Sequence, residues 1–277
     1  MGSITNFLET ELLDHVLNVA YSQPATVYLG LCTADPTDAA TGASCSECAN
    51  SGSYARKAIT FGSAATRSIA QSGTVTFDTA TGSWGHVTHW VITDTATYGA
   101  GNVLAFGEWA VHKDIYSGNT PSVASGQVTV SWNANEMSDY LANKLLDHAF
   151  KNTTYTKPAT YVALCTSAVA DSDTTLSGKE CADTGSYARK QVNINGGSSP
   201  TWDLAVSGDP SYVDNTHAIT FTTATGSWGT VVAMAICDSG THNAGNMLFY
   251  DNGMADQAVD TGDTMEFPIG DLDIQMS

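Results

Sequence analysis

A chain that repeats its own motifs in a fixed order must fold as one unit built twice. "TATGSWG" stands at residues 79–85 and again at 223–229. Ahead of it, "LLDH" occurs at 12–15 and 145–148, "PAT" at 24–26 and 158–160, and "LCT" at 31–33 and 164–166. "ECA" follows at 47–49 and 180–182, then "GSYARK" at 52–57 and 185–190. Behind it, "AGNVLAF" (100–106) matches "AGNMLFY" (244–250), and "SGNT" (117–120) matches "TGDT" (261–264). The offset is 133 residues up to "GSYARK" and 144 after it. The second copy therefore carries about eleven extra residues within 193–217. Their Gly, Ser, Asp and Pro content reads as a surface loop.

The repeat divides the chain into domains 1–133 and 134–277, the second with a loop insertion at about 195–217. The join, "NANEM" (133–137), is short and not Gly/Ser-rich, so the two domains are expected to sit against each other. Each opens with a helix. In 6–17, Phe7, Leu8, Leu12, Leu13, Val16 and Leu17 form an apolar stripe, with Thr5 or Asn6 as the cap. The second copy offers Tyr140, Leu141, Leu145, Leu146, Ala149 and Phe150.

The rest reads as short strands between turns. In the first copy they are 26–32, 54–61, 75–77, 87–93, 103–109 and 127–132. In the second they are 160–165, 187–194, 219–221, 231–237, 247–250, 265–268 and 272–276. No βα alternation is present. The expected fold is mainly β: two tandem homologous antiparallel β-sandwich domains, jelly-roll-like, each with a short N-terminal helix.

Charge narrows the function. Lys+Arg number 10 against Asp+Glu 28, a formal net charge of −18. Nucleic-acid affinity comes mainly from basic side chains on phosphates, so DNA and RNA are excluded as partners, and anionic membranes on the same ground. No run approaches the length of a membrane-spanning helix. The N-terminus lacks the basic and apolar regions of a signal peptide. "MGSITN" fits a myristoylation pattern only superficially, since the segment belongs to a repeated fold.

Each motif has a structural reading and a chemical one. In "TATGSWG" the glycines supply an unusual backbone, and Trp84 or Trp228 anchors the start of a strand. The motif is neither a nucleophile elbow nor a P-loop. Arg56 and Arg189 in "GSYARK" recur in register in an acidic chain, so each should pair with a carboxylate or with backbone carbonyls rather than bind a free anion. His15 and His148 in "LLDH" lack a second ligand and read as capped or solvated. His86 and His89 fall on opposite faces of a strand and make no metal pair. The acidic loops at Asp171, Asp173, Asp260 and Asp263 lack the ligand spacing of a calcium loop. No catalytic set, metal site or cofactor fingerprint stands out.

Six cysteines remain: Cys32, Cys45, Cys48, Cys165, Cys181 and Cys237. "CSEC" (45–48) lacks the context of a redox or zinc motif. Cys32 and Cys165 end a strand in matching positions, and Cys48 and Cys181 precede the next. A Cys32–Cys48 bridge and a Cys165–Cys181 bridge are expected, each worth roughly 3 kcal/mol by loop entropy, with buried free thiols as the alternative. Cys45 and Cys237 are unmatched. They could pair with each other, pair with a neighbouring subunit, or stay free.

The ordered set "NFLExxLLDH", "PATVYLGLCTADPT", "ExxxSGSYAR" and "TFxTATGSWGxV" resembles a family of small tailed-bacteriophage virion proteins, often labelled tail fibre proteins. The resemblance covers each repeat nearly end to end. It implies a non-enzymatic exterior component of the virion, assembled in the host cytoplasm: a capsid-decorating (cement) protein, or a tail-, collar- or fibre-associated one. It carries over no catalytic residue and no cofactor. The partners it implies are other virion proteins, of the capsid or of the tail and neck, and further copies of the chain. A sequence without coiled-coil heptads fits a fibre shaft poorly and a collar or decoration role better. A carbohydrate- or receptor-binding module is the alternative, with Trp90, Trp109, Trp132 and Trp202 offered to a host-surface glycan. A hydrolase is the third reading.

Overall fold

The computed structural model describes residues 2–132 and 137–276, so the domain join expected at 133–134 lies outside the described residues. Among the described residues the chain is mainly β with two helices. In the first repeat seven strands form one sheet, in the order Lys57–Ile59, Val27–Cys32, Gly85–Thr93, Val103–Ile115, Gly2–Ile4, Thr129–Ser131 and Ser68–Ala70. Pairing is antiparallel except for a parallel bridge between Gly2 and Val130. The second repeat keeps the same order in its centre: Lys190–Val192, Thr160–Cys165, Ala233–Cys237 and Met247–Asp251. Ser211–Asp214 pairs with Asp273–Met276 as Ser68–Ala70 pairs with Thr129–Ser131. The sheets curl into β-sandwiches.

Alternation in the central strands divides their side chains between two faces. Val27, Leu29 and Leu31 face the main core, whereas Cys32 faces a small cluster of Ala40, Cys45, Val91 and Val103. Among the described residues five strands escape the sequence reading: Gly2–Ile4, Ser68–Ala70, Ser122–Val123, Ser211–Asp214 and Gln257–Val259. Each is short and polar at one or more positions, so only its tertiary partners make it a strand. Gly2 fits because a Cβ there would collide with the Trp90 ring.

The inserted segment is more than a surface loop. Its Trp202 is fully buried and donates Nε1–H to Thr160 Oγ1 at 2.9 Å, and Ser211–Asp214 runs within it. A tryptophan inside a polar segment finds its burial in tertiary contacts that local composition does not reveal.

The helices join the two repeats. Helix α1, Asn6–Leu17, is capped by Thr5, whose Oγ1 accepts from Leu8 N. Helix α2, Asp139–Lys151, is capped by Ser138, whose Oγ accepts from Leu141 N at 3.2 Å. Helix α1 packs on Val103–Ile115 of its own repeat and on Ser211–Asp214 and Asp273–Met276 of the other. Helix α2 packs on its own Met247–Asp251 and, across the junction, on Ser68–Ala70. One hydrophobic core therefore runs from Leu8, Leu12 and Leu13 through Leu141, Leu145 and Leu146 into both sandwiches.

The "LLDH" motifs form this crossing. His15 and His148 meet with ring centroids 4.4 Å apart and planes tilted by 30°. His15 bonds the Tyr155 carbonyl through Nε2 at 2.8 Å and accepts Tyr21 N–H on Nδ1 at 3.0 Å. His148 bonds the Tyr21 carbonyl at 3.1 Å and accepts Tyr155 N–H at 3.2 Å. The two sets are mirror uses of one motif. Both rings are buried, against the capped-or-solvated reading, because each backbone partner comes from outside the helix and a sequence pattern cannot show it.

The preceding aspartates clasp the opposite repeat. Asp14 Oδ1 accepts from Ala205 N at 2.9 Å, and Asp147 Oδ1 accepts from Ala64 N at 2.7 Å. Changing Asp147→Ala strands the Ala64 N–H and should cost about 1–2 kcal/mol, read as a lower denaturant midpoint with an unchanged m-value.

Candidate functional site

The side chains singled out by the repeats converge in each sandwich on one buried network. In the first repeat Arg56 forks onto Glu47: Nε to Oε1 at 3.0 Å and Nη2 to Oε2 at 2.8 Å. Its remaining donors reach the carbonyls of Thr95 (3.1 Å), Ala100 (3.0 Å) and Gly42 (3.2 Å). Tyr54 OH donates to Glu47 Oε1 at 2.7 Å and accepts from Leu31 N at 2.9 Å. The second repeat repeats it. Arg189 meets Glu180 at 2.8 Å through Nε and through Nη2, and reaches the carbonyls of Ser239 (2.6 Å) and Ala244 (2.9 Å). Tyr187 OH donates to Glu180 at 2.9 Å.

Burial works against the charge on Arg56, but the bonds from Glu47 outweigh it and hold the guanidinium pKa above its usual value. Burial likewise opposes ionisation of Glu180, and Arg189 overrides it, so its carboxyl stays below its usual pKa. Both arginines are thus engaged by internal acceptors rather than by a free anion, Arg56 through five N–H donors and Arg189 through four. Sequence reasoning missed Glu47 and Glu180 as partners. Their signal was present, since both recur in register inside "ECA", nine residues before the arginine.

The "TATGSWG" turn locks onto "GSYARK". Trp84 Nε1 donates to Gly52 O at 2.8 Å, and Trp228 Nε1 to Gly185 O at 2.8 Å. The Tyr54 and Trp84 rings meet edge-on at 5.2 Å, and those of Tyr187 and Trp228 at 5.4 Å. Gly52 has φ +59, and a Cβ there would meet the backbone of Gly82; Gly185 stands the same way against Gly226. The two heptapeptides are clamps between a turn and a strand, with no group aimed at solvent chemistry.

All six cysteines are buried and free, so the expected Cys32–Cys48 and Cys165–Cys181 bridges are not formed. Strand alternation is the reason: Cys48 and Cys181 lie in the main core, whereas Cys32 and Cys165 face small clusters on the other side of their sheets. Cys32 shares its cluster with Cys45, whose Sγ donates to the Gly42 carbonyl at 3.8 Å. Cys165 shares its cluster with Cys237. Burial pushes the Cys48, Cys181 and Cys237 thiols up to about 12, which leaves them protonated and inert at neutral pH. Protein unfolded without reductant should therefore take up alkylating reagent at all six positions by mass; uptake at only two would restore both bridges.

Other candidates resolve simply. His86 bonds Asp114 at 3.0 Å and meets the His112 ring, while His89 bonds Thr88. Among the described residues no cluster of three His, Cys, Asp or Glu is placed to hold a metal ion. Asp173 is held by Lys179 and by Ala170 N, and Asp171 pairs with Arg67. Trp90, Trp132 and Trp202 are buried, which removes three of the four tryptophans offered to a glycan. No helix among the described residues is long and apolar enough to cross a membrane.

A model of the family described as Podophage GP4 fiber I protein gp80 matches residues 3–131 and matches again at 136–275. The chain belongs to the gp80 fibre family, twice over. A search of curated proteins gives no match. The two gp80 matches stop and restart around 131–136, so each sandwich with its helix is one gp80 unit. Membership makes the chain a bacteriophage virion protein of the fibre class, in a form made by tandem duplication.

Proposed function

We propose that this gp80-family protein is a non-enzymatic, rigid connecting piece of the phage fibre, acting through protein–protein contacts at its outer faces. The observation that carries this is the fate of the repeated polar residues. Arg56, Glu47, Tyr54 and their second-copy counterparts are all spent on internal bonds, and the "LLDH" residues are spent on joining the repeats. A catalyst keeps reactive groups in an open site; these repeats use theirs for stiffness. Stacking and sharing one core between two units gives a part that transmits position without bending. Immunogold electron microscopy of purified particles tests the reading. Label on the fibre or its attachment is expected; label over the capsid faces would instead make the protein a decoration protein.

A glycan-binding role has one observation in its favour. A cavity of about 920 Å³ opens in the first repeat, lined by Trp109, Val111, Asn119, Thr120 and Gln127 among others. The second repeat has Gly253 at the position of Trp109, and places Met254, Met265 and Phe267 where the first has Ala110, Pro121 and Val123. Met254 and Met265 pack on its core. Glycan binding that disappears in Trp109→Ala, with folding intact, would support this role.

A further inference from the structure

The two helix junctions use the same surface twice but are not charged alike. By the offsets that align the repeats, Asn6, Glu9, Thr10 and Asp38 correspond to Asp139, Ala142, Asn143 and Asp171, and Arg67 corresponds to Ser211. At one junction Arg67 reaches across to Asp139 at 3.3 Å and Asp171 at 3.1 Å, while its backbone N–H donates to Asn143 at 3.0 Å. At the other, Ser211 stands in the arginine's place and meets Thr10 at 3.3 Å. The acids there are Asp38, Glu9 and Asp209. None of the ion pairs formed by the described lysines and arginines reaches any of the three.

Glu9 marks the gap. It is 2% exposed, it lies against Ser211, and its Oε2 has no partner. A buried carboxylate oxygen without a partner is costly, and an adjacent acid makes it more so. Burial and then the Asp38 charge push this carboxyl up to about 8, so it is held neutral at neutral pH for want of a cation. A cavity of about 280 Å³ opens on the Asp38 side of this junction, lined by Asn6, Phe7, Thr10, Glu11, Asp38 and Ser207 among others.

We propose that this junction binds a guanidinium group, the head of an arginine side chain from a neighbouring virion protein, at the place Arg67 fills in the other junction. The chain cannot supply it readily from within, with ten basic residues against twenty-eight acidic ones. A planar, forked donor matches paired carboxylates better than an ammonium does, and at the sister junction it is an arginine that bridges two carboxylates, Nη1 of Arg67 meeting both Asp139 and Asp171. The neighbour's identity as a virion protein rests on the proposed function; the guanidinium site itself does not.

The test titrates N-acetyl-argininamide, at millimolar concentration and constant ionic strength, into the isotope-labelled full chain and follows backbone amide shifts. Saturable shifts confined to residues 6–11, 38–41 and 207–211 are expected, with N-acetyl-lysinamide binding more weakly. Asp38→Asn should weaken binding about tenfold or more, as expected for loss of one charge-assisted bond. Ser211→Arg, which installs the sister junction's own cation, should abolish it. Non-saturating shifts, shifts elsewhere, or binding untouched by Asp38→Asn would overturn the proposal. Because Ser211 is buried, Asp38→Asn at the half-exposed rim decides the matter if Ser211→Arg does not fold. Binding of the free amide together with capsid labelling in the microscope would keep the site and remove only the fibre neighbour.

Discussion

Arg56→Ala should lower the unfolding free energy by about 3–5 kcal/mol, the cost of leaving a buried charge without its partner. The side chains of Arg56 and Glu47 are 0% and 3% exposed, so water cannot replace the lost bonds. The carbonyls of Thr95, Ala100 and Gly42 lose their donor at the same time. Arg56→Lys should recover little, since one ammonium cannot fork onto Glu47 and also reach three carbonyls. Arg189→Ala should cost a similar amount through Glu180. Chemical denaturation with fluorescence detection checks both. A loss under 1 kcal/mol would show that the network is ornament rather than frame.

Acid should weaken the helix crossing. The imidazoles of His15 and His148 each accept a backbone N–H on Nδ1 and donate from Nε2, so each is neutral and a further proton breaks a bond. Burial, then the neighbouring His148, lowers the His15 pKa from 6.5 to about 4, and burial lowers that of His148 as well. For a base whose folded pKa is depressed, the unfolded chain takes up protons first. The stability is therefore complete above pH 6.5 and falls as pH drops toward 4, by about 3 kcal/mol for His15 at the conversion of 1.36 kcal/mol per pH unit. Glu9 acts in the opposite sense. Its folded pKa of about 8 exceeds the reference 4.5, so its contribution is complete below pH 4.5 and is lost as pH rises toward 8. A stability–pH curve for the protein and for Glu9→Gln separates them. The variant should be flat from pH 6.5 to 8, where wild type declines, and should keep the acid loss. An acid limb unchanged in His15→Gln would show that the histidines do not set it.

Much of the architecture was legible because duplication turns local motifs into register marks. Trp84 and Trp228 could be placed at strand entrances from two copies of one heptapeptide. Arg56 and Arg189 could be assigned to internal acceptors from charge scarcity alone. The partners were harder to read. Glu47 lies nine residues from Arg56, and its pairing with Cys32 at the end of Val27–Cys32 holds it there. The cysteine expectation followed matching sequence positions, but strand alternation sends Cys32 and Cys48 to opposite faces. Trp202 and His15 were misread for a shared reason. Trp202 is buried through its place in the fold, and His15 through contacts that cross between repeats, and no local pattern encodes either. The family match carries the fibre assignment, where the missing heptads had pointed to a collar or to the capsid.

The central claim is that the two gp80 units share one core and therefore unfold as one. Hydrogen exchange and tryptophan fluorescence should report a single coincident transition for both repeats, and Arg56→Ala in the first should lower the opening free energy of Leu164 and Val162 in the second by the same amount as that of Leu29 and Leu31. Two separate transitions, with the second repeat indifferent to the change in the first, would contradict the account.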